Sequence, residues 1–131
     1  MYHIYIVEDE PNIIEALRYL FENEGWQVDV ISDGALATAA IRKDKPALLV
    51  LDYMLPNKSG LSVAKELRAD HELADMPILM LSAKGQMKDK QQAALAGIDA
   101  FMTKPFANAE LLSKIKELMS ARASTSTKVG S

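Results

Sequence analysis

Four short apolar runs in this 131-residue chain end on side chains suited to charged, oxygen-rich chemistry. Ile4-Tyr5-Ile6-Val7 runs into Glu8-Asp9-Glu10, Ala47 to Leu51 into Asp52, Pro77 to Leu81 into Ser82, and Ala100 to Thr103 into Lys104. Carboxylates gathered in one crevice repel, and each holds its proton more tightly unless a cation is present. Mg²⁺ suits such a place, because it prefers oxygen ligands, keeps several waters and typically binds one or two carboxylates plus a phosphate. Lys104 would add a compact positive charge and Ser82 a hydroxyl donor, both fitted to phosphoryl oxygens. A carboxylate beside such groups can act as a nucleophile toward a phosphoryl group and form an acyl phosphate.

Taken singly, each residue also has an ordinary use. Asp52 could merely open the turn that runs through Pro56, Asn57 and Gly60, since Asp is favoured in turns. Glu8, Asp9 and Glu10 would stabilise the start of a following helix through its dipole. Ser82 could be a turn or cap residue, Lys104 a solvated surface charge and Phe101 a core aromatic. What separates the two readings is whether the chain brings these positions together.

The elements that would do so alternate between two periodicities. Ile4 to Val7 reads as a strand, and Pro11 fits the first turn of a helix, where its missing N–H costs nothing. That helix carries Ile13, Ile14, Leu17, Leu20 and Phe21 on one face and ends near Gly25. Trp26 to Ile31 gives a second strand, and Ala35 to about Lys43 a helix of small residues. Ala47 to Asp52, five apolar residues before an aspartate, reads as a strand buried on both faces and therefore central. A third helix carries Leu61, Ala64 and Leu67, and Pro77 to Ser82 is another buried strand. Residues 88–96 form a helix whose only large aliphatic is Leu95, so it should be loosely held. Ala100 to Thr103 is the fifth strand, and the last helix, about 108–121, carries Leu111, Leu112, Ile115, Leu118 and Met119.

Five βα units in this order imply a parallel sheet with helices on both faces. Ligands of such sheets sit beyond the carboxyl ends of the strands, where strand order reverses. Every strand end but the second is followed by a chemically useful side chain. Convergence is what the fold supplies.

Composition bounds the rest. Apolar content of 49% and charged content of 25% are ordinary globular values and suit a single domain. A net charge of −3 and a pI near 5.4 argue against a nucleic-acid surface. With no cysteine, neither disulfides nor a thiolate metal site can form. The apolar runs are too short for a membrane span, and the N-terminus lacks the basic region of a signal peptide, so a cytoplasmic protein is expected. Residues 122–131, rich in Ser and Thr, read as a disordered tail or the start of a linker to a longer regulator, leaving 1–121 as the domain.

The chain resembles the receiver domain of two-component response regulators, including its chemotaxis members. The resemblance rests on Ile6-Val7-Glu8-Asp9-Glu10, Leu51-Asp52-Tyr53-Met54-Leu55-Pro56 with Gly60, Leu81-Ser82-Ala83, and Phe101-Met102-Thr103-Lys104-Pro105-Phe106. It implies a doubly wound, flavodoxin-like α/β fold with a five-stranded parallel sheet of order 2-1-3-4-5. Asp52 would be the phosphoacceptor, served by a sensor histidine kinase or a histidine phosphotransfer protein. Glu8, Asp9, Asp52 and the backbone carbonyl of Met54 would hold Mg²⁺, and Lys104 would bind the phosphoryl group. Ser82 and Phe101 would be the switch pair, Met54 and Lys84 would border the path of hydrolysis, and Lys104-Pro105 would be cis. The face spanning 83–106 would carry the output, a phosphorylation-dependent homodimer being one form of it. Glu8 stands where Asp is common and Ser82 where Thr is common, and both preserve the chemistry. Phe101 lacks a hydroxyl, so its role would rest on packing. Such a domain catalyses its own phosphorylation and dephosphorylation without being a conventional turnover enzyme.

Three other classes compete with this one. A pseudo-receiver independent of phosphate usually loses a charged position, and none is lost here. An Asp-nucleophile phosphatase of haloacid dehalogenase type needs a second Asp two residues on, where Met54 stands. A flavodoxin-type electron carrier needs a Gly/Ser/Thr-rich phosphate loop after the first strand, where Glu8-Asp9-Glu10 stands.

Overall fold

The apolar strand ending at Asp52 lies in the middle of the sheet. The computed structural model describes residues 2–83 and 85–130, with side chains described through residue 121. In chain order the elements are β1 (His3–Val7), α1 (Pro11–Glu22), β2 (Gln27–Ile31), α2 (Gly34–Asp44), β3 (Leu48–Asp52), α3 (Gly60–Ala69), β4 (Ile78–Ser82), α4 (Met87–Leu95), β5 (Ala100–Thr103) and α5 (Asn108–Gly130). All four strand pairings are parallel, in the order β2-β1-β3-β4-β5. This is the doubly wound architecture that the alternating elements predict.

Period-two alternation along the strands divides the core in two. Ile4, Ile6, Leu48, Val50, Leu79 and Leu81 face α1 and α5, meeting Leu17, Phe21, Leu111 and Ile115. Tyr5, Val7, Leu49, Leu51, Ile78 and Met80 face the other way, toward Ile41 of α2, Val63 and Leu67 of α3, and Ala93 of α4. Every residue of β3 and β4 is buried. Each large aliphatic so enclosed stabilises the fold by about 2 kcal/mol relative to exposure, so the two central strands are its firmest part.

The helix α4 buries as little apolar surface as its sequence implies, whereas α5 runs longer than expected. Leu95, the only large aliphatic of α4, is 88% exposed, and the helix instead buries Ala93 and the acidic Asp89. α5 continues to Gly130, through most of the stretch expected to be a tail or linker. A helix already nucleated propagates by one backbone hydrogen bond per added residue, without needing an apolar stripe. Ser131 lies outside the described residues.

Candidate functional site

Parallel register brings the predicted strand ends level with one another. Val7 pairs with Leu51, Asp52 with Leu81 and Ser82 with Thr103, so the residues that succeed or end β1, β3, β4 and β5 emerge at one edge. β1 and β3 are neighbours in the sheet, yet α1 packs on one face and α3 on the other. The crevice between these two strand ends is therefore the switch point at which such sheets bind ligands.

Glu8, Asp52 and Ser82 are all buried here, at 1%, 5% and 1% exposure. Lys104 joins two of them: its Nζ donates to Glu8 Oε1 at 2.8 Å and to Asp52 Oδ1 at 3.1 Å. Glu10 Oε1 lies 3.5 Å from the same nitrogen. Glu8 is held from its other side, where Oε2 accepts from the backbone N–H groups of Asp9 and Glu10 at 3.1 and 3.2 Å. At the end of β3, the Gly60 N–H donates to the Tyr53 carbonyl at 2.9 Å. A Cβ at Gly60 would stand 2.1 Å from the Asp52 carbonyl oxygen. Only glycine lets the start of α3 close over the end of β3.

The electrostatics follow from burial. Desolvation, with the nearby charge of Glu8, pushes the Asp52 carboxyl up to about 6, against the partial relief from Lys104. Burial works to lower the Lys104 ammonium, but hydrogen bonds and charge from Glu8 and Asp52 outweigh it and hold its pKa above the ordinary lysine value. At neutral pH the lysine is charged and Asp52 is mostly ionised.

Among the described residues, the acidic groups whose oxygens lie within 4.8 Å of one another are Glu8, Glu10 and Asp52. Asp9 is exposed and outside this group. The backbone is still extended at Glu10 (φ −83°, ψ 115°), and extended chain puts alternate side chains on one side. Glu8 and Glu10 therefore turn to the same side, Glu8 buried in the crevice and Glu10 largely exposed at its rim. Sequence reasoning leaves Glu10 at the helix start, although its two-residue spacing from Glu8 is a usable signal for the site.

Met54, two residues after Asp52, is 62% exposed. Phe101 is half-buried and packs against the core layer of α2, α3 and α4, next to Met80 in the β4–β5 register. The Lys104-Pro105 peptide is cis. Lys84 lies outside the described residues.

A five-stranded doubly wound sheet with a lysine-clamped carboxylate cluster at its switch point defines a class, the doubly wound α/β domains with an acidic crevice. The family emerges from comparison: the sequence model of the response regulator receiver domain matches residues 4–116, and the chain belongs to that family. It is 37% identical over 116 residues to the phosphate regulon transcriptional regulatory protein PhoB of Rhizobium meliloti, covering 88% of this chain and 51% of that protein. It is 40% identical to the alkaline phosphatase synthesis transcriptional regulatory protein PhoP of Bacillus subtilis, covering 88% and 48%. The chain thus spans about half the length of the curated relatives it matches. Among solved structures it resembles the receiver domain of a sensor histidine kinase from Pseudomonas aeruginosa, crystallised with magnesium coordinated in the active-site cleft. That likeness has a TM-score of 0.85 at 26% identity and covers 91% of this chain and 98% of the other.

Proposed function

We propose that this receiver domain accepts a phosphoryl group on Asp52, from the phosphohistidine of a sensor histidine kinase or a histidine phosphotransfer protein. The observation that carries the reading is the Lys104 ammonium bonded at once to Glu8 and Asp52 in a buried crevice. An Asp52 carboxylate oxygen attacks phosphorus; the O–P bond forms as the N–P bond of the donor breaks, and the departing imidazole nitrogen keeps the electron pair. Lys104 steadies the charge on the phosphoryl oxygens, and the Ser82 hydroxyl moves in to donate to one of them.

The donor set fits Mg²⁺. Three carboxylates and one ammonium leave a formal charge of −2 (three negative against one positive) among hard oxygen donors. Glu8, Asp52 and the backbone carbonyl of Met54 would hold the ion, with Asp9 as the resemblance implies and Glu10 as the carboxylate already gathered there. Bound there, the ion supplies the positive charge that lets the carboxylates and phosphoryl oxygens share one crevice.

As Ser82 moves in, it frees space that Phe101 enters, and the face of α4, β5 and α5 reports the change to an effector or a second copy of the chain. Residues 1–121 form the receiver, and residues 122–131 lead toward the output of a cytoplasmic regulator. Relatives described as transcriptional regulators support gene control as that output. Among the described residues, no helix is long and apolar enough to cross a membrane. Intact mass after incubation with acetyl phosphate and Mg²⁺ should rise by one phosphoryl group. Asp52→Asn should abolish the rise, and an equal rise in that variant would mean another acceptor.

A further inference from the structure

The end of β2 is the one that the sequence pattern leaves without a part in the chemistry. It leads through Ser32 and Asp33 into α2, which starts at the same edge of the sheet as the crevice. There α2 meets the loop of residues 53–59 that joins β3 to α3. The Gly34 N–H donates to the Pro56 carbonyl at 3.2 Å, and a Cβ on Gly34 would stand 2.2 Å from the Lys58 carbonyl oxygen. The two backbones touch, and glycine is what allows it. Asn57 closes the contact from the loop side, its Nδ2 donating to Asp33 Oδ2 at 2.8 Å. Lys58 bonds to Glu66 of α3, whose other oxygen accepts from Thr38 of α2 at 2.7 Å.

An aspartate before a helix has an ordinary use as its cap, and Asp33 Oδ1 fills it by accepting from the Ala35 N–H at 2.8 Å. The Oδ2 bond is a separate matter, because it reaches 24 positions along the chain to the loop. Asn57 is suited to meet it: its φ of +68° lies in the left-handed region, which asparagine enters more readily than most residues. The loop is held on both sides of Met54. At its start the Tyr53 N–H donates to the Leu81 carbonyl at 3.0 Å, and the Gly60 N–H to the Tyr53 carbonyl at 2.9 Å. Pro56 and Asn57 fix its far side to α2, with Met54 and Leu55 between. A backbone carbonyl held in this way has its place before any ion arrives, and preorganised donors bind more tightly than donors that must first be gathered.

We propose that Asp33 and Gly34 are positioning residues for the phosphoryl site. Through Asn57 and Pro56 they fix the β3–α3 loop, and with it the Met54 carbonyl that would hold Mg²⁺. Their role rests on the reading of Asp52 and Met54 given above, and it makes a bond outside the crevice set the affinity for the ion.

The test is a calorimetric titration with Mg²⁺ of the parent chain and four variants, beside amide hydrogen exchange without the ion. Asp33→Ser keeps a hydroxyl that caps α2 but is too short to reach Asn57. Asn57→Gly keeps the left-handed backbone and deletes the bond from the other side. Each should weaken Mg²⁺ binding about three- to tenfold, the loss of one hydrogen bond to a charged group near the surface. The double variant Asp33→Ser/Asn57→Gly should bind no more weakly than either single one, because both remove the same interaction. Asp33→Asn removes the same charge yet leaves a carboxamide partner for Asn57, so it should bind close to the parent. Without Mg²⁺, the Gly34 and Lys58 amides should exchange faster in Asp33→Ser and Asn57→Gly than in the parent. Parent affinity in Asp33→Ser, additive losses in the double variant, or an Asp33→Asn as weak as Asp33→Ser would overturn the proposal while leaving the Mg²⁺ site intact. A parent chain without saturable Mg²⁺ binding would overturn the reading of the crevice itself, and this role with it.

Discussion

The middle of the sheet and its β5 edge are built to different standards. At β1 and β3, Ile4, Ile6, Val7, Leu49 and Leu51 are fully buried, and the site residues Glu8 and Asp52 ride on strands enclosed from both faces. At that edge, β5 has no fully buried residue, and α4 buries only Asp89 and Ala93. α4 is tied mainly at its C-terminal end. There Arg68 Nε donates to the Gly97 carbonyl at 2.9 Å and Nη2 to Asp99 Oδ2 at 2.9 Å. A reacting carboxylate needs a fixed position, whereas a surface that reports its state needs two arrangements close in energy. The contrast in packing suits the two roles proposed above.

The largest expected effect breaks the firm middle. Leu49→Ala should cost about 2–5 kcal/mol in chemical denaturation, because it leaves a cavity in the central strand. Leu95→Ala in α4 should stay within about 0.5 kcal/mol, as an exposed substitution does. Comparable losses from both would erase the distinction.

A smaller effect tests the electrostatic state of the site. The Asp52 carboxyl is raised from its ordinary 3.8 to about 6 in the folded chain. A raised carboxyl favours folding at low pH, and that contribution is lost as pH climbs from about 4 through about 6. Asp52→Asn, which cannot ionise, should therefore be more stable than the parent by on the order of 2 kcal/mol at pH 8 without Mg²⁺. The difference should vanish near pH 4. Urea melts at the two pH values measure it, and a variant less stable at pH 8 would mean that Lys104 overcompensates the buried charge.

The smallest effect concerns the lifetime of the signal. With Asp52 as the proposed acceptor, hydrolysis would need a water in line with the Asp52–phosphorus bond, and Met54, apolar and only weakly accepting through sulfur, would shield that path without orienting a water. Lys84, when protonated, cannot accept a proton from it. A long-lived phosphorylated form is therefore expected, suited to slow responses, and Met54→Asn should hasten decay of the phosphorylated protein in Mg²⁺ by several-fold. Decay at the parent rate, or slower, would overturn the shielding argument.

Much of this organisation is legible in the residues. The runs ending at Asp52 and Ser82 are apolar on both faces, so they can only be central strands, and the βα alternation then forces their ends to one edge. Lys104 can be placed at that edge but not paired, since its bond to Glu8 spans 96 positions and depends on how β5 docks. Glu10 escapes a sequence reading because Pro11 draws it toward the helix start, although the chain stays extended through Glu10. Hydrophobicity alone singles out Leu95 in α4. The helix is rotated instead so that Ala93 meets the sheet, a choice that tertiary packing makes and local pattern does not. The burial of Asp89 leaves no trace in periodicity for the same reason.

The claim that a firm acceptor site drives a loosely packed reporting face is tested most directly by hydrogen exchange with and without beryllofluoride, a phosphoryl mimic. The account predicts that residues 83–106 exchange faster than β1 and β3 in the free protein, and that the mimic changes protection chiefly across 83–106. Unchanged protection across that span, or a change spread evenly over the sheet, would contradict it.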